Sequence, residues 1–172
     1  MSAGPGVWGD PLPGRVLITG MSGTGKSSVI RELARRGFRA VDTDTDGWSE
    51  WTTDAEGQPD WVWREAPMRD LLAEEARPLF VCGCKSNQGA LYGGFDRVVL
   101  LSAPADVLLA RVQARTDNPY GQTPGERALI LHHLETVEPL LRAGADLELD
   151  SGRLSVAALA DALEALATAR EG

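Results

Sequence analysis

The chain has 172 residues, of which 43% are hydrophobic and 24% are charged, and its formal net charge is −8. This length fits one domain with a substantial core, and the composition is typical of a soluble globular protein. The negative charge argues against a long nucleic acid as partner, because nucleic-acid binding requires a basic surface. A small phosphorylated ligand remains possible, since one loop and a few arginines can meet its charge locally.

The first 14 residues, MSAGPGVWGDPLPG, are rich in glycine and proline and predict a flexible arm ahead of a single domain over 15–172. The arm has no basic residue and no apolar core of the signal-peptide type, and no segment approaches the roughly 18 apolar residues of a spanning helix. We therefore expect a cytoplasmic protein without membrane contact. The only cysteines, Cys82 and Cys84, predict reduced packing residues rather than a disulfide or a zinc site.

From Arg15 onward, short apolar runs alternate with helical patterns. RVLIT (15–19) predicts a strand, and 26–36 predicts a helix that Gly37 ends. The inward face of that helix comprises Val29, Ile30, Leu33 and Ala34. FRAV (38–41) predicts a second strand. The polar, tryptophan-rich segment 42–67 has no clean period and is interpreted as a functional insertion.

The second half of the chain continues the alternation. A helix around Met68, Leu71 and Leu72 precedes the strands PLFVCG and RVVLLS, and a further helix spans 105–114. A turn-forming loop over 116–126 leads into a long helix that carries Leu129, Leu134 and Val137 until Pro139 disturbs it. The strand DLELD and a helix capped at Ser155, with Leu159, Leu163 and Leu166 inward, complete the chain. This order predicts an α/β fold, a three-layer α/β/α sandwich around a five-stranded parallel sheet.

The segment GMSGTGKS, residues 20–27, fits the phosphate-binding motif G-x-x-x-x-G-K-[ST] and lies between a predicted strand and a predicted helix. Glycines let the backbone turn tightly so that successive N–H groups point at phosphate oxygens, and the helix adds its positive end. Lys26 is expected to neutralise the β and γ oxygens, and the Ser27 hydroxyl to ligate magnesium. The predicted nucleotide-binding residues here are Gly20, Ser22, Gly23, Thr24, Gly25, Lys26, Ser27 and Ser28.

A second informative segment, AVDTDTD, supplies Asp42, Asp44 and Asp46 at the end of the second predicted strand. In open α/β sheets the ligand crevice lies beyond the carboxyl ends of the strands, so these carboxylates should lie beside the phosphate loop. With these two motifs the chain resembles the small P-loop kinases of the shikimate kinase and nucleoside monophosphate kinase group, from Arg15 to about Ala169. The resemblance implies that Asp42 steers magnesium and that Asp44 orients, or takes the proton from, the attacking hydroxyl.

The resemblance also assigns arginines. Arg64 in WVWRE falls where these kinases have a substrate-contacting arginine, and 116–126 resembles their mobile lid. Arg111 and Arg115 precede this lid and Arg127 follows it; an arginine that closes over the phosphate stabilises charge in the transition state. Arg115 and Arg153 resemble the pair that sandwiches adenine. For each arginine, an ordinary solvated position is an equal alternative.

Two positions depart from the shikimate kinase pattern. The glycine triplet after the third strand is replaced by CGCKSNQG, and the carboxylate-binding arginine of a later helix is replaced by Val137. These departures favour an acceptor other than shikimate. Lys85, Asn87 and Gln88 are candidates to bind it, with a simple polar turn as the alternative.

The tryptophans Trp48, Trp51, Trp61 and Trp63 are compatible with two roles, an aromatic acceptor pocket or core packing. His132 and His133 predict no metal site, because no further ligand accompanies them. The sequence thus predicts a magnesium- and ATP-dependent kinase that acts on a small-molecule acceptor. The alternative is a nucleotide-dependent switch or regulatory ATPase, which is disfavoured because the sequence has no N-K-x-D motif and the strand PLFVCG lacks the terminal aspartate of a Walker B strand.

Overall fold

A computed structural model describes residues 14–45, 47–75, 77–116 and 119–168. Most of the predicted N-terminal arm, Asp46 and part of the predicted lid lie outside these ranges. The strands are β1 (Arg15–Thr19), β2 (Arg39–Asp42), β3 (Ser49–Thr53), β4 (Pro59–Trp63), β5 (Leu79–Cys82), β6 (Arg97–Ser102) and β7 (Leu147–Asp150). The helices are α1 (Lys26–Arg35), α2 (Glu65–Ala73), α3 (Ala105–Ala114), α4 (Pro124–Thr136), α5 (Glu138–Gly144) and α6 (Val156–Thr168), with a 3-10 turn at Gln88–Gly94.

Five parallel strands form the central sheet in the order β2-β5-β1-β6-β7. The predicted α/β fold with a five-stranded parallel sheet is therefore confirmed. Strand β1 lies in the middle, and its neighbours β5 and β6 come later in the chain. The loop after β1 consequently opens into the crevice where an α/β sheet binds its ligand.

Apolar side chains cover both faces of the sheet, as expected for parallel strands. One face packs Val16, Ile18, Phe80 and Val99 against α1 and α6. The opposite face packs Leu17, Val81 and Val98 against α2 and the 3-10 turn. The sheet is a rigid base for the loops at its carboxyl edge. Among the described residues, no helix is long and apolar enough to cross a membrane.

The segment 42–67 contains a structure that the sequence pattern did not predict. Strands β3 and β4 form an antiparallel hairpin, with Trp51 directly opposite Trp61. A five-residue loop over 54–58 closes it, where the Asp54 carboxylate accepts the N–H groups of Glu56 and Gln58. This hairpin stands apart from the main sheet.

Three helical predictions require correction. Helix α4 already begins at Pro124, inside the predicted loop, with Thr123 and Glu126 forming a capping box. Leu129 is 43% exposed, whereas Ile130 is buried. Ala34 of α1 is exposed rather than inward. Pro139 disturbs the long helix as predicted, because it lies in the first turn of the separate helix α5.

Candidate active site

A cleft of about 1040 Å³ opens above the carboxyl ends of β1, β2 and β5. The phosphate loop, the hairpin, the ends of α3 and α4, and the loop after β5 all line it. The predicted site residues that line the cleft are Gly20, Ser22, Gly23, Gly25, Lys26, Ser27, Ser28, Asp42, Asp44, Lys85, Arg111 and Arg115. Residues from distant parts of the sequence thus meet in one cavity of the size of a ligand site.

The phosphate loop is shaped by its glycines and by one buried threonine. A Cβ on Gly20 would collide with the carbonyl oxygen of Leu101, and Gly23 has φ +87°, a conformation that favours glycine. The buried Thr24 hydroxyl donates to the Met21 carbonyl at 2.8 Å, so Thr24 holds the turn from within. The backbone N–H groups that follow lead directly into α1, which favours anion binding.

Lys26 lies folded over its own loop. Its Nζ donates to the carbonyl oxygens of Gly20 at 2.6 Å and Met21 at 3.0 Å. Burial lowers the pKa of Lys26, while the nearby groups of Cys84, Cys82, Asp42 and Asp44 act in the opposite direction. An incoming phosphate therefore replaces two carbonyl partners and supplies a far stronger counter-charge.

Ser27 and Asp42 face each other across the floor of the cleft. The Ser27 hydroxyl donates to the Asp42 Oδ2 at 3.0 Å, and the Asp42 Oδ1 accepts the Asp44 N–H at 3.0 Å. A hydroxyl and a carboxylate are oxygen donors of the kind that Mg²⁺ prefers in nucleotide sites, where phosphates and water supply the remaining ligands. These residues therefore suit a magnesium ion.

Asp44 occupies a different environment only two residues from Asp42. Its Oδ1 accepts hydrogen bonds from Lys85 Nζ at 2.6 Å and Trp61 Nε1 at 2.8 Å. Burial acts to raise the pKa of Asp44, but the hydrogen bond and charge of Lys85, with help from Trp61, hold it below its ordinary value. Asp44 is therefore an ionised, oriented acceptor at neutral pH.

Lys85 is fixed from several sides, and its side chain is only 6% exposed. Its backbone N–H donates to Gln88 Oε1 at 2.7 Å, and its ammonium lies 5.6 Å from the centre of the Trp61 ring. The buried Gln88 donates in turn to Thr19 at the end of β1 and to Tyr92. This network anchors the Lys85 backbone, and the contacts with Asp44 and Trp61 hold its ammonium at the cleft.

Asn87 and Gln88 do not line the cleft, although both were predicted to bind the acceptor. Asn87 accepts the N–H of Trp63 and donates to its carbonyl, at 3.1 and 3.0 Å. Gln88 makes the internal bonds that fix Lys85. Both side chains therefore join the loop after β5 to its neighbours.

Arg111 of α3 and Arg115, which directly follows α3, line the cleft. Arg111 donates to the Gly23 carbonyl at 3.2 Å and to the Ser151 side chain at 2.9 Å. Arg115 donates to the Tyr120 carbonyl at 2.8 Å, while its buried Nε has no partner among the residues that the structure describes. Buried donors in folded proteins are normally paired, so this Nε is an exception.

Arg64 and Arg153 lie outside the cleft lining. Arg64 begins α2 and lies near the Gly47 carbonyl and the Glu50 carboxylate. Arg153 is 87% exposed and lies 3.6 Å from Asp150. Arg127 does not line the cleft either; it donates to the Gln122 carbonyl at 2.8 Å and so links α4 to the loop ahead of it.

The four tryptophans of the insertion divide between the two roles considered. Trp63 is buried and donates to Thr43 at 2.8 Å, and Trp48 packs against the same core. Trp51 and Trp61 line the cleft with ring centres 5.0 Å apart. Trp61 and Trp63 lie two residues apart on β4, so the period of the sequence does not predict this division.

Several cleft residues had no signal in the sequence. Arg31 follows Ser27 by one helical turn, and His133, Val137 and Leu141 reach the cleft from α4 and α5. Cys82 and Cys84 line it as free thiols, and burial raises the pKa of Cys82 to about 12, so this thiol is inert. For Arg31 alone a signal existed, because a residue four positions after Ser27 lies on the same face of a helix.

Known proteins resemble the chain in sequence and in fold. A family model described as an AAA domain matches residues 16–132. The shikimate kinase of Halorhodospira halophila is 30% identical to this chain, and the match covers 81% of this chain and 85% of that protein. The shikimate kinase of Pseudomonas putida is also 30% identical, and the match covers 79% of this chain and 86% of that protein. The solved shikimate kinase of Acinetobacter baumannii, in complex with shikimate, has a TM-score of 0.62 at 22% identity and covers 94% of this chain and 96% of its own. The solved gluconokinase of Sinorhizobium meliloti has a TM-score of 0.59 at 21% identity, and the match covers 91% of this chain and 94% of that protein.

The two solved structures support the fold, and the sequence relatives support the family. The family model spans more than half of the chain, and it includes the phosphate loop, the two aspartates and Lys85. The curated relatives extend the match over most of their own length. The chain therefore belongs to the P-loop small-molecule kinases that include the shikimate kinases, and it is an ATP-dependent phosphotransferase.

Proposed function

We propose that the chain transfers the γ-phosphoryl group of ATP, with Mg²⁺, to a hydroxyl group of a small molecule held by residues 42–67. The observation that carries this proposal is the separation of two neighbouring carboxylates. Asp42 bonds to Ser27 of the phosphate loop, whereas Asp44 bonds to Lys85 and Trp61 on the other side of the cleft. One carboxylate belongs to the nucleotide side, and the other to the acceptor side.

On the nucleotide side, Ser27 and Asp42 would hold the magnesium ion, directly or through water. When bound, this ion neutralises phosphate charge and orients the β and γ oxygens. Lys26 turns from its loop carbonyls to the phosphates, and Arg111 and Arg115 stabilise charge that develops on the transferred group. The adenine is proposed to lie near Arg115 and Arg153, because Arg111 bonds to Ser151 and so fixes the segment that carries Arg153 beside α3.

On the acceptor side, Asp44 orients the hydroxyl group through its carboxylate. Since Lys85 lowers the pKa of Asp44, this carboxylate stays ionised, and its main contribution is alignment of the attacking oxygen. Proton transfer to Asp44 accompanies or follows attack, because a loose phosphoryl transition state places little demand on a strong base. Lys85 is then positioned to offset charge near the acceptor oxygen.

A screen for acceptor-dependent ADP release tests the proposal. Purified protein with ATP and Mg²⁺ is incubated with nucleosides, nucleotides, sugars and small acids, and ADP is measured by a coupled assay. We expect at least one class to raise ADP formation well above the rate without an acceptor. ADP release that no acceptor stimulates would instead support a regulatory ATPase.

The loop ahead of α4 is proposed to act as a lid, and its contacts suggest a hydrogen-exchange experiment. Residues 117–118 lie outside the described ranges; the Tyr120 carbonyl accepts from Arg115, the Gln122 carbonyl accepts from Arg127, and the Gln122 side chain donates to the Val112 carbonyl. We expect low amide protection over 120–123 in the free protein and a gain when ADP, Mg²⁺ and acceptor are all present. The α1 amides provide an internal reference. Equal protection over 120–123 in every state would remove the lid from the mechanism.

Replacing Lys85 with methionine is expected to change the pH dependence of kcat/KM. Lys85 stabilises the ionised form of Asp44, so its removal raises the pKa of that carboxyl group. Activity that requires ionised Asp44 is lost as pH falls through the pKa of this carboxyl group. The acidic limb of the pH profile of kcat/KM therefore moves to higher pH in Lys85→Met. Lys85→Arg, which keeps the charge, is the matched control and should move the limb less. If the acidic limb of the kcat/KM profile is unchanged in Lys85→Met, Lys85 does not control the ionisation of Asp44.

A further inference from the structure

The exposed face of the β3–β4 hairpin is an unusual surface for a small protein. Trp51 is 69% exposed, and its ring lies 5.0 Å from that of Trp61 at an angle of 50°. Both rings line the cleft, whereas Trp48 and Trp63 of the same segment pack into the core. A large aromatic surface left uncovered at the mouth of a polar cleft is typical of a ligand site.

This aromatic pair is joined directly to the acceptor carboxylate. The indole N–H of Trp61 donates to the Asp44 Oδ1 at 2.8 Å, and Lys85 binds the same oxygen while lying over the Trp61 ring. Trp61 therefore connects Asp44, where a hydroxyl would be aligned, with the exposed Trp51 ring. A ring compound that carries a hydroxyl group matches these two features.

The charge around the aromatic pair disfavours an anionic molecule. The hairpin segment 49–63 contains four carboxylates and no lysine or arginine; the acidic residues are Glu50, Asp54, Glu56 and Asp60. The positive charge of Lys85 is already balanced by Asp44. The α4 and α5 wall contributes His133, Val137 and Leu141 rather than arginine.

Among the described residues that line the cleft, Arg31 is the cation left after Lys26, Lys85, Arg111 and Arg115. It lies on α1, where its Nη2 is 3.5 Å from the Ser28 hydroxyl. It therefore belongs to the phosphate-loop wall and not to the hairpin. An anionic group on the acceptor would have to lie against that wall, away from Trp51.

We propose that the acceptor is an uncharged or cationic ring compound whose flat or C–H face stacks on Trp51 and Trp61 while its hydroxyl group meets Asp44. This inference rests on the proposed function and narrows its acceptor to a chemical class. Recognition comes from aromatic area and one oriented hydrogen bond, with no carboxylate or phosphate on the acceptor. Acids such as shikimate and gluconate, named in the relatives, fall outside this class.

Turnover with matched variants tests the inference. The acceptors compared are an uncharged nucleoside, a hexose and an aryl alcohol, with shikimate and gluconate as the anionic set. For the best acceptor, Trp51→Ala should raise KM by about tenfold or more with little change in kcat, because stacking holds substrate and transition state alike. Thr52→Ala changes the next residue of the same strand, which is exposed but does not line the cleft, and it should change KM less than about threefold. A preference for the acids, or a larger rise in KM in the control variant than in Trp51→Ala, would overturn the inference while leaving the kinase proposal intact.

A binding experiment that needs no turnover keeps the two proposals distinct. Tryptophan fluorescence of the protein with ADP and Mg²⁺ is titrated with 4-nitrobenzyl alcohol and with 4-nitrobenzoate, which differ chiefly in charge. We expect saturable quenching by the alcohol, at least fivefold weaker binding of the benzoate, and loss of the saturable phase in Trp51→Ala. Trp51 is exposed, so this variant should fold, and thermal unfolding checks that it does. Tighter binding of the benzoate, or no saturable quenching by either probe, would contradict the stacking site.

Discussion

Replacing Lys26 with alanine is expected to lower phosphoryl transfer by at least ~100-fold, the scale of removing one preorganised charge from a transition state. The physical reason is the position of Nζ, which lies over the phosphate loop and within hydrogen-bond distance of two of its carbonyl oxygens. In the proposed complex with ATP, this ammonium supplies the fixed positive charge of the phosphate loop to the β and γ oxygens. A coupled assay for ADP formation with the identified acceptor measures the loss.

The folded state should survive this substitution. Alanine removes two hydrogen bonds from the loop, each contributing roughly 1 kcal/mol, which a domain with two packed sheet faces tolerates. Thermal unfolding of the free protein therefore provides the control, and Lys26→Met keeps most of the side-chain volume as a second one. Near-normal turnover in either variant would contradict the phosphate-loop assignment.

The sheet and the phosphate loop were predictable from the sequence because their signals are local. The runs RVLIT and RVVLLS are buried continuously and form β1 and β6, and the GKS motif lies at the start of α1. The hairpin was not predictable, since neither of its faces is buried along most of its length. In β3 only Ser49 is buried, so the alternation that reveals a half-buried strand is missing.

The candidate site shows the same division between local and tertiary information. Asp42 and Asp44 were placed correctly beside the loop by the rule for strand ends, and the Ser27 contact with Asp42 follows from it. The partnership of Asp44 with Lys85 joins residues 41 positions apart, and nothing in the sequence pairs them. Asn87 and Gln88 belong to the same polar loop as Lys85, yet their side chains face inward. The reason is that the Trp63 backbone requires a hydrogen-bond partner, which is Asn87, and the buried Thr19 hydroxyl requires one, which is Gln88.

Replacing Asp44 with asparagine is expected to lower acceptor-dependent transfer severely while ATP affinity stays close to normal. The amide oxygen of asparagine can still accept the hydrogen bonds of Lys85 and Trp61, so the local structure is kept. The neutral amide accepts a weaker hydrogen bond from the acceptor hydroxyl than a carboxylate does, so alignment is lost; it also cannot take the proton, and it leaves the Lys85 charge unbalanced. Titration of ATP binding and measurement of acceptor-dependent ADP formation separate the two effects.

Asp42→Asn is the matched control, because it changes the same chemical group two residues away on the nucleotide side. Its carboxylate faces Ser27, so we expect weaker magnesium dependence of ATP binding and of turnover, measured across a magnesium series. Asp44→Asn should leave that dependence unchanged. In a regulatory ATPase the expectation for Asp44 is reversed: with no acceptor to orient, basal hydrolysis would be almost untouched by the substitution. Unchanged turnover of Asp44→Asn with an identified acceptor would exclude Asp44 as the orienting group and transfer that role to Asp46 or to a residue between Trp48 and Arg64.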